Sequence, residues 1–267
     1  MQQKINEGSI VVTKQGNGIA VVTLTNPSRK NALTWQMHRS LEHVWDELDA
    51  DDDVRVVILT GDGGAFCTGA DFSAEGITQG RDKPASRPRT RGSRRLFWNM
   101  LDFEKPIIAK VRGPAYGLGA SIAVAADIVV AAQDAVFCDS HVKAGIAPGD
   151  GGAALWPLLI GFNRAKEFLM MGESIPAPKA ADMGLINHCV KDDELDDFTL
   201  QMALRLAAGA PLAISYAKLS VNLLLKQLIG GAFETSLAYD LLTLYTEDHA
   251  EGMQAFRERR KPTFKGC

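Results

Sequence analysis

Ala65-Phe-Cys-Thr-Gly-Ala-Asp71 and Gly113-Pro-Ala-Tyr-Gly-Leu-Gly-Ala-Ser121 are small-residue loops. Each follows an apolar, strand-like run, Val54–Thr60 for the first and Ile107–Val111 for the second. Beyond Gly119, the run Ala120–Ala126 suits a short buried helix. A glycine loop that opens a helix leaves backbone N–H groups unpaired at the positive end of the helix dipole. Such a place stabilises a negative oxygen. Two of these loops, in order along one chain, can supply two donors to a single developing oxyanion.

The elements that must hold these loops alternate. Ser9–Thr25 contains two β-rich runs around Gly16-Asn-Gly18, which predicts a hairpin. Thr34 is placed to cap a helix whose Met37, Leu41, Val44, Trp45 and Leu48 share one face. Strand, loop and helix then recur: Val54–Thr60, a helix near Arg94–Phe103, Ile107–Val111, Ala120–Ala126 and Ile128–Ala132. This order predicts crossover connections in an α/β core. After about Ala165 the pattern turns helical, with helices expected at Arg164–Met171, Ala177–Met183, Asp193–Ala208, Ala210–Leu228 and Gly231–Ala250. Leu223, Leu224, Leu225, Leu228 and Ile229 make a wide apolar face suited to another subunit or to the chain's own core.

The chain has 267 residues, enough for one large domain or a domain with an appendage. A net charge of −3 gives no general reason to expect nucleic acid or an anionic membrane as partner. Arg81–Arg95 is a dense basic stretch that reads as a solvated loop, or as an electrostatic lip for a phosphorylated ligand. Cys67, Cys138, Cys189 and Cys267 form no CxxC pair, which argues against structural zinc or a disulfide framework and fits a reducing cytoplasm. The first residues hold no apolar signal core, and the longest apolar stretch, Leu118–Ala132, is broken by Asp127.

These motifs resemble the crotonase superfamily, the enoyl-CoA hydratase/isomerase family, over nearly the whole chain. The carriers are Leu24–Leu33, Val56–Gly61, Ala65–Asp71, Lys105–Gly119, Ala126–Val129, Gly145–Gly149, Met183–Asn187 and Phe256–Phe264. The resemblance implies an α/β fold: a spiral core of ββα turns over residues 1–200, then a helical oligomerisation region over 201–267. It implies an acyl-CoA substrate, coenzyme A arriving as part of that substrate, and a homotrimer or hexamer. The backbone N–H groups of Ala70 and Leu118 fall where the family holds the thioester oxygen. Arg29, Lys30, Ala32, Asp71 and Phe72 fall where it lines the coenzyme A site, and Lys261 where a basic residue reaches a nucleotide. No metal, flavin or nicotinamide is indicated, since no acidic residue follows the glycine loops as a dinucleotide site requires.

The pattern breaks at the acids. Hydratases of the family carry two glutamates that move water and protons. Alignment through the glycines puts Ser121 at the first of these positions and His141 at the second. A serine cannot alone act as a base at neutral pH, though it can orient water or let its helix pack. A histidine near its ordinary pKa suits proton transfer. Asp150 lies nine residues past His141 among glycines. It can turn back to hold the imidazole, or cap a helix beginning near Gly152. The His–Asp spacing also looks similar to the β-diketone hydrolases of the superfamily. Three functions follow as expectations: an enoyl-CoA hydratase/isomerase-like enzyme, a retro-Claisen C–C hydrolase, or a non-catalytic acyl-CoA-binding protein.

Overall fold

The computed structural model describes residues 9–72 and 91–267. Residues 1–8, most of the basic stretch and Ser73 lie outside them. Strands β1 (Ser9–Gly16) and β2 (Ile19–Thr25) form the expected hairpin. Asn17 and Gly18 take the positive φ that a tight hairpin turn requires. From β2 the sheet continues in parallel through β3 (Val56–Gly61), β4 (Ile107–Val111), β6 (Ile128–Ala132) and β9 (His188–Val190), in the order β1-β2-β3-β4-β6-β9. A second sheet of three short strands joins β5 (Pro114–Tyr116), β7 (Val136–Cys138) and β8 (Ile175–Pro176).

The apolar runs of β3, β4 and β6 are covered on both faces, as a parallel sheet between helices requires. One face packs Val57, Leu59, Ile107 and Ala109 into the main core with α1 (Trp35–Asp49), α2 (Arg91–Asp102) and α3 (Leu118–Ala125). The other packs Val56, Ile58, Ile108 and Val130 against Leu195, Ala203 and Ala207. Thr34 caps α1 as its sequence predicts, accepting a bond from Met37 N at 3.2 Å. Three helices follow around the second sheet: α4 (Gly152–Ile160), α5 (Phe162–Met171) and α6 (Ala177–Asp182). Residue 200 sits inside α7 (Leu195–Ala207), the helix that covers the second face.

The C-terminal helices differ from the sequence expectation. A single helix, α8, runs from Pro211 to Thr243 across Gly230 and Gly231, and α9 (Glu247–Glu258) follows. Each glycine costs a helix about 1 kcal/mol relative to alanine. Burial of Ile229, Phe233 and Leu237 on one face carries the helix across them. The break falls instead at Thr246, whose hydroxyl accepts from His249 N at 3.1 Å and caps α9. The leucine run divides: Leu225 and Ile229 turn toward the core, while Leu223, Leu224 and Leu228 stay exposed. Among the described residues α8 is the one helix long and apolar enough to cross a membrane. Lys218, Asn222 and Lys226, one turn apart, tie it to Lys105, Leu101 and Asp102 of the core.

Candidate active site

The two glycine loops meet because β5 borrows Cys67 as a neighbour. Cys67 N donates to Pro114 O at 3.1 Å, and Tyr116 N donates to Cys67 O at 2.8 Å. Gly119 sits so close to Cys67 O that a Cβ there would lie 2.2 Å from it. Gly69 has φ +90, and its Cβ would meet Tyr116 O at 3.1 Å and Leu118 N at 3.7 Å. No side chain fits between the loops. Leu118 is the first residue of α3, so its amide has no carbonyl in its own helix to reach. On the other loop the amides of Leu33 and Asp71 are taken up by the Leu33–Ala70 bridge. Among the described residues, neither Ala70 nor Leu118 donates its amide to a backbone carbonyl. Cys67, beside them, is no nucleophile, because burial pushes its thiol up to about 12.

Gly117 N donates to Cys138 O at 2.8 Å, which brings the end of β7 beside the second loop. The chain then turns through a 3-10 helix, His141–Ala144. A Cβ on Gly117 would lie 3.8 Å from His141 Nε2. His141 stands between two carboxylates, with Nδ1 2.7 Å from Asp139 Oδ1 and Nε2 3.1 Å from Asp150 Oδ2. Ser121 Oγ donates to the other oxygen of Asp150 at 2.6 Å. Asp139, Asp150 and Ser121 are buried, and the His141 side chain keeps 15% of its exposure. Burial pulls the imidazole pKa down. The charges and hydrogen bonds of Asp150 and Asp139 outweigh it and raise His141 well above its ordinary value. Burial opposes ionisation of Asp150 too, but His141 and Ser121 hold its pKa below the usual carboxylate value.

The structure thus brings Ser121, His141 and Asp150 together. The helix-capping alternative for Asp150 is not what forms. Gly151 is the N-cap of α4, and the Asp150 carboxylate turns back to the imidazole. The glycines around it are needed for packing. Gly149 lies against Ser236 O and Asp240 Cβ, and Gly151, at φ +132, against the Phe97 ring. Asp139 is the residue that sequence reading missed. Its signal was an aspartate two residues before a histidine, a spacing at which short side chains bond locally. Asp139, His141 and Asp150 are of the types that bind metals. A metal needs a free imidazole lone pair, and here each ring nitrogen is engaged by a carboxylate, so the set fits a proton better than a cation.

The expected coenzyme A segment gathers on the far side of the first loop. Pro27–Arg29 forms a 3-10 turn, and Lys30 and Asn31 follow with positive φ. Thr68 Oγ1 donates to Arg29 O at 3.3 Å and to Lys30 O at 3.2 Å, and Arg29 Nε lies 3.9 Å from Asp71 Oδ2. Ala32 is buried, Arg29 and Lys30 are exposed, and Phe72 is half-buried beside Ala70 in the chain. The Asp71 carboxylate, only 7% exposed, faces Arg29. Asn31, which no motif singled out, ties the segment down. Its side chain donates to Asp62 O and Ala65 O and accepts from Asn26 N. Lys261 stands apart and exposed, after α9, on a segment held by the Arg260 ion pairs to Glu251 and Glu258.

Comparison with known proteins bears on this geometry. Residues 14–267 match the family model for enoyl-CoA hydratase/isomerase. The chain belongs to that family. It is 33% identical over 257 residues to enoyl-CoA hydratase EchA19 of Mycobacterium tuberculosis, covering 96% of each chain. It is 31% identical over 254 residues to 1,2-epoxyphenylacetyl-CoA isomerase of Escherichia coli, covering 93% of this chain and 95% of that one. The crystal structure of an enoyl-CoA hydratase from Mycobacterium avium subsp. paratuberculosis superposes with TM-score 0.87 at 28% identity, over 97% of this chain and all of that one. The crotonase fold and a family enzyme follow. Within the family the chain is a hydratase/isomerase, and it brings Ser121, His141, Asp139 and Asp150 into one contact network.

Proposed function

We propose that this enzyme adds water to the double bond of an enoyl-CoA thioester, with His141 and Asp150 as its proton-carrying pair. The observation that carries this is the 3.1 Å contact of His141 with Asp150, beside the amide of Leu118 at the start of α3. The amides of Ala70 and Leu118 hold the thioester oxygen as negative charge develops on it. Asp150 accepts from Ser121 and His141 and has lone pairs left for a water. As the water oxygen bonds to the β carbon, its proton passes to Asp150. His141 delivers a proton to the α carbon. The proton on Asp150 then returns to His141 across their shared contact, and the pair is reset as one unit.

Several features support the rest of the reading. Arg29, Lys30, Ala32, Asp71 and Phe72 adjoin Ala70, which suits a coenzyme A running from that segment to the amides. Lys261, exposed after α9, would act only by reaching a neighbour's nucleotide. Exposed Leu158, Phe162, Met170 and Met171, with Leu223, Leu224 and Leu228 on α8, suit a homotrimer or hexamer. No cofactor beyond the substrate's own coenzyme A is required, and a cytoplasmic setting fits four free cysteines. Retro-Claisen cleavage of a β-dicarbonyl is the second reading, favoured by the His–Asp contact in place of two glutamates.

Turnover of an enoyl-CoA panel, with a cyclic β-diketone as companion substrate, separates the two. Hydration that falls about 10²–10⁴-fold in His141→Ala supports the first. Cleavage of the diketone with no hydration at any chain length transfers the site to the second.

A further inference from the structure

Asp139 has no part in the reaction described above, yet it is among the most deeply buried charged groups of the molecule. It is 1% exposed. Oδ1 takes the His141 Nδ1 contact at 2.7 Å and also the His141 amide at 3.4 Å. Oδ2 has no hydrogen-bond partner among the described residues. It lies against Gly152, where a Cβ would come within 2.0 Å of it. Gly152 is the first residue of α4, so this oxygen sits at the positive end of a helix dipole. A negative charge buried in that place needs an opposite charge or dipole nearby. The helix end answers part of it and the imidazole answers the rest.

We infer that Asp139 is a positioning residue that keeps His141 a doubly hydrogen-bonded cation, so the resting site holds its proton ready to give. This rests on the reading of His141 as proton carrier. With Asp150 alone, one ring nitrogen would be free to lose its proton near neutral pH. With a carboxylate at each nitrogen, both N–H bonds are held, and the ring cannot rotate without breaking one. The other ionisable groups around the ring do not do this. Lys143 follows on the same turn. Cys138 precedes it, with its thiol pushed up by burial. Cys67 is neutral on the far side of Asp150. From α9, His249 bonds the carbonyl of Ala144, and Asp248 meets Gly145 through its backbone. The turn meets the end of α5 at Gly172, which packs on Val142 and Lys143.

The test is a nitrogen-15 NMR titration of the histidines in the full-length protein, with His141→Gln to assign the signal. In the wild type, both ring nitrogens of His141 should still be protonated at pH 8. A neutral imidazole at pH 7 overturns the inference. Asp139→Asn keeps the shape and removes the charge. In it the His141 titration should move down by at least one pH unit. The alkaline limb of kcat should move with it, a loss of about 10-fold or more at pH 8 with KM within about twofold. An unmoved titration in a folded Asp139→Asn also overturns it. If the wild type turns over no enoyl-CoA, the hydratase reading falls, while the titration still decides the role of Asp139.

Discussion

Two buried ion pairs in this molecule end in opposite electrostatic states. At the site, one imidazole faces two carboxylates, and the partners' charges prevail over burial. Where α8 docks on the core, Lys218 Nζ lies 2.8 Å from Asp127 Oδ2 and also donates to Lys105 O, over the Phe103 ring. There burial prevails. It lowers Lys218 and raises Asp127, despite the attraction between them. The attraction of Asp127 and the weaker pull of Asp49 do not offset the desolvation of Lys218, whereas Asp150 and Asp139, each hydrogen-bonded to the ring, do offset that of His141. The first arrangement holds a proton in readiness, and the second fastens a helix.

The comparison can be broken most sharply at His141. His141→Gln should lose about 10²–10⁴-fold in turnover, while Lys218→Met, assayed on the same panel, keeps kcat. Thermal and urea unfolding should show the reverse ranking. Lys218→Met leaves Asp127 buried without its cation and should cost about 3–5 kcal/mol. The double variant Lys218→Met, Asp127→Leu should recover most of that loss. A double variant no more stable than the single would mean that the pair itself holds α8 in place.

The pH dependence of stability sharpens the contrast further. Asp150 is depressed below 3.8, so its contribution is full above that value and is lost as pH falls through its folded pKa. His141 is raised above 6.5, so its contribution is full below that value and fades as pH rises through the folded pKa. The site therefore stabilises most between about pH 4 and 6.5. At the anchor the shifts are reversed, so keeping both groups charged there costs stability. Unfolding of Asp150→Asn against the wild type should show its largest difference inside that window. A difference constant from pH 4 to 9 would contradict it. The smallest effect is expected at Ser121. Ser121→Ala removes one hydrogen bond to a charged acceptor, worth about 1.5–3 kcal/mol, and should lower turnover less than any change at His141.

Much of this was legible in the chain. The hairpin, the Thr34 cap and the apolar runs of β3, β4 and β6 depend on near neighbours and local periodicity, and they form where the residues place them. The two glycine loops were read as serving one oxyanion, and they do touch, at Gly69 and Gly119. The spacing of Asp139 to His141 carried a local signal, but the burial of its second oxygen against Gly152, a contact between segments, was not legible. The uninterrupted α8 was not legible either. Gly230-Gly231 reads as a break, and only the core that receives Ile229, Phe233 and Leu237 offsets it.

The sequence by itself determined the fold family, the two amide-bearing loops and the replacement of the expected glutamates by Ser121 and His141. These are properties of residue type and order. The tertiary structure decided whether Asp150 would cap a helix or meet the imidazole, and how many carboxylates would surround His141. The physical reason is that a proton's place is set by charges a few ångströms away. Those charges come from β7, from the turn before α4 and from α3, which only folding brings together.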